Sequence, residues 1–155
     1  MKLRLVAVGT RMPTWVTAGF EDYALRLPRE LRLELVELPL AVRGKNADLA
    51  RARQAEGQKL LERSRDSHRV VLDERGAPWT SHALAMRLQA WMQQGRDVSL
   101  LVGGPDGHSA EVQQSADERW SLSRLTLPHA LVRVLVAEQV YRAWSLTANH
   151  PYHRA

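Results

Sequence analysis

The residues best equipped for chemistry in this 155-residue chain gather in two short stretches. The last seven positions, "NHPYHRA", hold His150, Tyr152, His153 and Arg154, where most chains end in undemanding residues. Imidazole, phenol and guanidinium together are what a nucleobase site uses for proton traffic, stacking and phosphate contact. A frayed terminus is the competing account of the same residues. The second stretch, "LVGGPDGHS" (101–109), follows an apolar run. Its glycines leave backbone N–H and C=O groups unhindered beside the rigid Pro105, an edge that can hydrogen-bond an adenine or a ribose. A tight strand-to-helix turn explains those glycines equally well.

Several familiar chemistries find no footing. The first apolar run ends in "VGTRMP" with a single glycine, so there is no G-x-G-x-x-G, and no G-x-x-x-x-G-K-[ST] occurs either. Cysteine is absent, which removes disulfides, thiolate zinc sites and cysteine nucleophiles and suits a reducing cytoplasm. The six histidines are scattered without H-x-x-x-H or H-E-x-x-H spacing, so no metal is expected. Asp106, His108 and Ser109 make a triad on paper, but no G-x-S-x-G elbow supports hydrolysis.

These stretches need elements to position them. "LRLVAVG" (3–9) reads as a strand, "WVTAGFEDYALRL" (15–27) as an amphipathic helix, and "LRLELVEL" (31–38) as a half-buried strand near a sheet edge. A helix opened by Asn46 or Asp48 runs to about Ser64. "HRVVLDERG" supplies a short buried strand, and "SHALAMRLQAWMQQG" a helix with Ser81 near its start and Gly95 just past its end. "DVSLLVGG" is the most apolar strand, and a short helix follows from Ser109 to about Ala116. The alternating leucines of "RWSLSRLTL" look strand-like up to Pro128, which seats a long helix reaching about Leu146. That helix is apolar nearly all round, broken by Arg133, so it is expected to pack between its own sheet and a partner subunit. Glu138 and Arg142, four apart, are set for an ion pair. Strands alternating with helices predict one α/β layered domain with a parallel sheet, and its ligand loops at the strand ends are "GGPDG" and "DERGAP".

Composition is globular, with 45% hydrophobic and 25% charged residues. The start lacks a signal-peptide core, and no run approaches the ~20 apolar residues of a membrane span. A formal charge of +5 points to a polyanionic partner. Arg43, Lys45, Arg51, Arg53, Lys59, Arg63 and Arg65 concentrate that charge in one loop and helix, either a solvated face or a track for phosphates.

"LVGGPDGHS", "LSRLTLPH", "VRVLVAEQVYRAWS" and "NHPYHR", in this order, resemble the SPOUT methyltransferases. They are most similar to the small family that methylates N3 of a pseudouridine in helix 69 of bacterial 23S rRNA. "MKLRLVAVGT" and "RGKNAD" resemble that family's start and basic loop, so the likeness covers the whole chain. The resemblance implies a single-domain α/β fold with a C-terminal trefoil knot, a homodimer, and S-adenosylmethionine as methyl donor. It also implies action on the assembled ribosome in the cytoplasm, without metal or membrane. Carried over by motif, Leu72, Gly103, Gly104, Leu122, Ser123, Arg124, Leu125, Thr126 and Leu127 would bind the cofactor. Arg142, Tyr152, His153 and Arg154 would form the catalytic, substrate-facing side. Arg142 or Arg154 would stabilise negative charge, and His153 would take the N3 proton in competition with Asp106 and Glu138. His108 departs from the pattern, since relatives often carry leucine there. A SPOUT enzyme acting on tRNA and a non-catalytic RNA-binding factor are the alternative functions.

Overall fold

The computed structural model describes residues 1–43 and 48–154. Its strands are β1 (Leu3–Val8), β2 (Leu33–Leu38), β3 (His68–Ala77), β4 (Val98–Val102) and β5 (Glu118–Trp120). They alternate with helices α1 (Thr14–Ala24), α2 (Leu49–Arg63), α3 (Ser81–Gln94), α4 (Ala110–Ser115) and α5 (His129–Thr147). A 3-10 turn over Pro151–Arg154 follows α5. The five strands form one parallel sheet in the order β2-β1-β4-β3-β5.

The α/β parallel-sheet architecture predicted from the alternation of patterns is present. β4 is buried at every position and takes the centre, as a continuous apolar strand in a sheet covered on both faces must. β2, with its alternating pattern, lies at one edge. Successive side chains point to opposite faces, so neighbours in one strand feed different cores. Leu5 and Leu100 pack with Phe20 of α1, Leu88 of α3 and Val136 of α5, whereas Val6 and Leu101 pack with Leu60 of α2 and Val112 of α4. α5 rests against both α1 and α3 on the first face.

Local chemistry sets the helix ends. The side chains of Asp48, Thr80 and Ser109 accept the backbone N–H of Arg51 (3.2 Å), Ala83 (3.0 Å) and Val112 (3.3 Å), capping α2, α3 and α4. Asp48 therefore opens α2; Asn46 lies outside the described residues. Gly95 (φ 71) closes α3, and Asn149 (φ 53) stops α5 while the His150 N–H reaches back to the Ser145 carbonyl at 2.8 Å.

Three boundaries differ from expectation. α1 ends at Ala24, because the N–H groups of Arg26 and Leu27 bond three residues back, tightening the chain ahead of Pro28. β3 runs longer than predicted, with its register against β5 shifting between Leu72 and Ala77. β5 stops at Trp120, so Leu122 to Leu127 are not a strand. The last ladder-like bond runs from the Ser121 N–H to the Ala77 carbonyl, where β3 ends. Beyond it Ser123 Oγ takes the Leu125 N–H at 2.9 Å and the Ser121 hydroxyl bonds the Ser123 carbonyl at 3.0 Å. Local side-chain bonds replace the ladder that leucine alternation alone would predict.

The two-faced core gives a stability contrast. Leu100→Ala, fully buried at the sheet centre, should lower the unfolding free energy by about 2–5 kcal/mol. Leu25→Ala, at a side chain 81% exposed, should stay within about 0.5 kcal/mol of wild type in urea titrations.

Candidate cofactor and catalytic site

A cavity of about 640 Å³ opens beyond the carboxyl ends of β3, β4 and β5, the edge where open parallel sheets bind ligands. Its volume lies within the roughly 300–1,000 Å³ typical of small-molecule sites. Three segments wall it: Leu72 to Arg75, where β3 bulges in its pairing with β5, and the loops Gly103 to His108 and Leu122 to Leu127, with His129 and Val132 of α5 behind and Arg53 of α2 at the side. The two stretches singled out as ligand walls thus share one site, though Asp73 to Ala77 of "DERGAP" belong to β3 and are not a loop.

The glycine loop is a tight turn and a wall at once. The Gly107 N–H returns to the Gly104 carbonyl at 3.0 Å, and Gly107 has φ +79. A Cβ on Gly103 would stand 3.0 Å from the Gly107 carbonyl carbon, and one on Gly104 only 2.7 Å from Glu56 Oε1. Both glycines are needed because backbone and a buried carboxylate press against them.

Of the nine residues expected to hold a cofactor, Leu72, Gly103, Gly104, Leu122, Ser123, Leu125, Thr126 and Leu127 line this cavity. Arg124 does not; it is exposed on the outer side of its loop. Among the polar side chains of the cavity wall outside that set, four stand out: Asp73, His108, Gln113 and His129. Asp73 accepts Gln113 Nε2 at 2.6 Å and the Arg75 N–H at 3.1 Å. Burial works to raise the Asp73 pKa, but those donors and the Arg75 guanidinium prevail and hold it below the usual carboxylate value. Gln113 Oε1, on the far side of that amide, is buried without a partner among the described residues. His108 Nε2–H donates to the Leu72 carbonyl at 3.1 Å, joining two walls and leaving Nδ1 an acceptor without a partner among the described residues. Neither ring nitrogen of His129 has a partner among the described residues. Burial lowers the pKa of both histidines, and for His129 the nearby Arg133 guanidinium lowers it further. The one sequence signal for His129 was its place directly after Pro128, at the first turn of the long helix.

The tail residues form a second cluster. Arg142 binds Glu138, with Nε at 2.8 Å and Nη2 at 2.6 Å from Oε1, so the expected ion pair exists. The Tyr152 hydroxyl donates to the same oxygen at 3.1 Å, and the Arg142 guanidinium lies 5.0 Å from the Tyr152 ring centre. The Tyr152 ring packs on Tyr141 (4.5 Å between centroids) and Tyr23 (6.4 Å). Hydrogen bonding to Glu138 raises the Arg142 pKa; burial and then Glu138 raise that of Tyr152. The tail is a folded turn, not a frayed end. His153 Nδ1 is buried without a partner among the described residues, and Arg154 is exposed.

The two clusters are not brought together within one chain. At about 1.5 Å of rise per residue, roughly 20 Å of helix axis separates His129 at the cavity from Arg142. None of Arg142, Tyr152, His153 or Arg154 lines the cavity.

The basic stretch also divides. Arg51, Lys59, Arg63 and Arg65 are exposed and make no ion pair among the described residues, whereas Arg53 reaches the cavity. Lys45 lies outside the described residues. Arg43 is no solvated cation: its guanidinium binds Glu56 and Asp106, both of which raise its pKa. Among the described residues no cluster of metal-ligating side chains occurs, and no helix is long and apolar enough to cross a membrane.

The class is an α/β protein with a parallel sheet and a glycine-walled cavity at its carboxyl edge. The family is settled by comparison. A family model described as "Predicted SPOUT methyltransferase" matches residues 1–153, and the chain belongs to the SPOUT methyltransferase family. Among solved structures, it is similar to that of the tRNA (m1G37) methyltransferase from Aquifex aeolicus, with TM-score 0.53 and 13% identity. That match covers 92% of this chain and 70% of the other, a likeness of fold.

The neutral buried histidines set a pH dependence. With folded pKa values below the unfolded value of about 6.5, the unfolded chain binds more protons in that window. Stability should therefore be full above that value and fall as pH drops below it towards the folded pKa values. His129→Gln should flatten the fall in urea midpoint between pH 7.5 and 5.5; an unchanged slope would show that His129 does not contribute.

Proposed function

We propose that the protein is an S-adenosylmethionine-dependent methyltransferase, a cytoplasmic homodimer that methylates N3 of a pseudouridine in helix 69 of 23S rRNA on the assembled ribosome. The observation that carries this reading is the convergence of three sequence-distant segments on one cavity, two of which, Gly103 to His108 and Leu122 to Leu127, hold motifs that resemble that family. The residues fit the cofactor. Backbone at Gly103 and Gly104 can approach a flat base, Leu72, Leu122 and Leu127 can cover its faces, and the Asp73, Gln113 and His108 acceptors suit hydroxyl and amino donors. When bound, the cofactor supplies a methyl group already made electrophilic by a positive sulfur. The chain must then align the acceptor base and help N3 lose its proton.

The tail supplies groups of the right kind. Arg142 is already committed to Glu138, so the exposed Arg154 is the cation free to meet charge on the base or a phosphate. Tyr152, held protonated against Glu138, orders the turn that carries its neighbours. His153 is the proton acceptor on this reading. Because a chain's own tail sits far from its own cavity, the homodimer is what supplies the tail: the cavity of one copy takes the tail of the other. The part-exposed Leu131 and Leu135 of α5 and the exposed Trp15 of α1, a helix packed on α5, offer apolar surface for that pairing. The trefoil knot belongs to the same reading, as does the use of the α2 cations Arg51, Lys59, Arg63 and Arg65 on rRNA phosphates.

A second reading, tRNA methylation, is favoured by the tRNA enzyme among the structural neighbours. One panel separates the two: labelled methyl transfer from S-adenosylmethionine to assembled ribosomes, isolated large subunits, free 23S rRNA and tRNA. Transfer to assembled ribosomes from a strain lacking the modification is expected; labelled tRNA instead would overturn the rRNA assignment. Cofactor binding in calorimetry with no transfer to any of them would favour a binding factor. In the productive assay Arg154→Ala should reduce turnover by about a hundredfold or more, and His153→Gln by a comparable factor with an altered pH profile. Near-normal turnover of His153→Gln across pH would leave charge stabilisation alone. Ribosome affinity should fall steeply with salt, on a slope reduced by removing α2 cations.

A further inference from the structure

Glu56 is buried, at 3% exposure, and a carboxylate so placed must be paired. It is paired by a segment distant in sequence. Arg43 Nη1 and Nη2 donate to its two oxygens at 2.7 and 3.0 Å, and the Ala41 N–H adds a third bond at 3.0 Å. The same guanidinium has one more donor, Nε, and this reaches Asp106 Oδ2 at 2.8 Å. Asp106 is part of the turn that runs from Gly104 to Gly107, and the Gly104 backbone lies directly against Glu56. The glycine loop is thus seated on Glu56 from below and tethered by Arg43 from the side. Neither Arg43 nor Glu56 lines the cavity.

We propose that Arg43 is a positioning residue for the cofactor: through Asp106 it holds the backbone groups of Gly103 and Gly104 in the geometry that binds S-adenosylmethionine, without touching the ligand. The proposal rests on the cofactor reading above. A wall made of backbone has no side chain to adjust, so its affinity depends on where the loop is held. Lysine cannot replace Arg43, since a single ammonium lacks the planar fork that spans two carboxylates; it would pair with buried Glu56 and release Asp106.

Arg43→Lys weakens the tether from a residue that does not line the cavity, and Asp106→Asn weakens it from the cavity wall while leaving the buried Arg43–Glu56 pair intact. Both variants should weaken S-adenosylhomocysteine binding about tenfold in calorimetry while the melting temperature stays within about 2 °C of wild type. The double variant should bind no worse than about twofold below either single variant, because one contact is lost in each case. In the ligand-free protein, amide exchange of the Gly104 and Gly107 N–H groups should accelerate at least about fivefold in Asp106→Asn. Unchanged exchange, or unchanged affinity with a lowered melting temperature, would overturn the proposal and leave the contact purely structural. If wild type fails to bind S-adenosylhomocysteine, the cofactor reading fails, and the exchange measurement still decides whether Arg43 holds the loop.

Discussion

The arrangement of the site depends on a guanidinium taken almost wholly out of water. Arg133, 1% exposed, donates Nη2 to the Gly9 carbonyl at 2.7 Å and Nη1 to Glu37 at 2.6 Å. A charge buried this deeply holds its place only while its partners do. The two bonds therefore pin the first turns of α5 to the carboxyl ends of β1 and β2. Gly9, with φ +120, cannot carry a side chain there: a Cβ would lie 3.3 Å from Arg133 Nη2 and 3.0 Å from the Met12 methyl. With α5 anchored at one end and Trp120 held in β5 at the other, the intervening loop has little choice but to arch over the cavity.

That constraint explains why the cavity is built from backbone and apolar side chains with polar groups at fixed points. Two of the walls are held by side-chain clamps. Arg43 and Glu56 fix the glycine loop, Gln113 and Arg75 fix Asp73, and His108 ties the glycine loop to β3 through the Leu72 carbonyl. His108 fills its position as a buried, neutral ring, the physical role a leucine would also serve, with one added bond between walls. It reads as a brace, and its lowered pKa follows from that burial.

Patterns that depend on neighbours in sequence were legible before the structure. The order of strands and helices, the edge position of β2, the Asp48 and Gly95 helix ends and the Glu138–Arg142 pair all follow from local rules. The cofactor wall was legible only through motif resemblance, since a glycine turn by itself is ambiguous. What stayed hidden involves partners far apart in the chain. Arg43 looked like one more surface cation because Glu56 lies 13 positions on, within α2, and Asp106 lies 63 positions on, beyond β4. The leucines of 122–127 imitated a strand because periodicity does not reveal that β3, their only ladder partner, has ended at Ala77. Arg133 stood out as an interruption, but nothing near it in sequence names Gly9 and Glu37 as its acceptors.

The remaining step concerns the length of α5. The helix starts at the cavity and ends beside Tyr23, and the turn after it folds back onto the helix instead of extending away. Three contacts hold that turn: Asn149 in the left-handed region, Tyr152 on Tyr141, and the Tyr152 hydroxyl on Glu138. A tail meant to swing into its own cavity would need to give up all three and still cross roughly 20 Å. A tail folded at the far end of a long helix instead keeps His153 and Arg154 there, away from the cavity of their own chain. The proposed second copy would meet that geometry if its α5 ran antiparallel to the first, with the end of one helix beside the start of the other. On this reading the order of the tail and its distance from its own cavity are one design: acid–base groups are held still where only assembly can deliver them to the methyl donor.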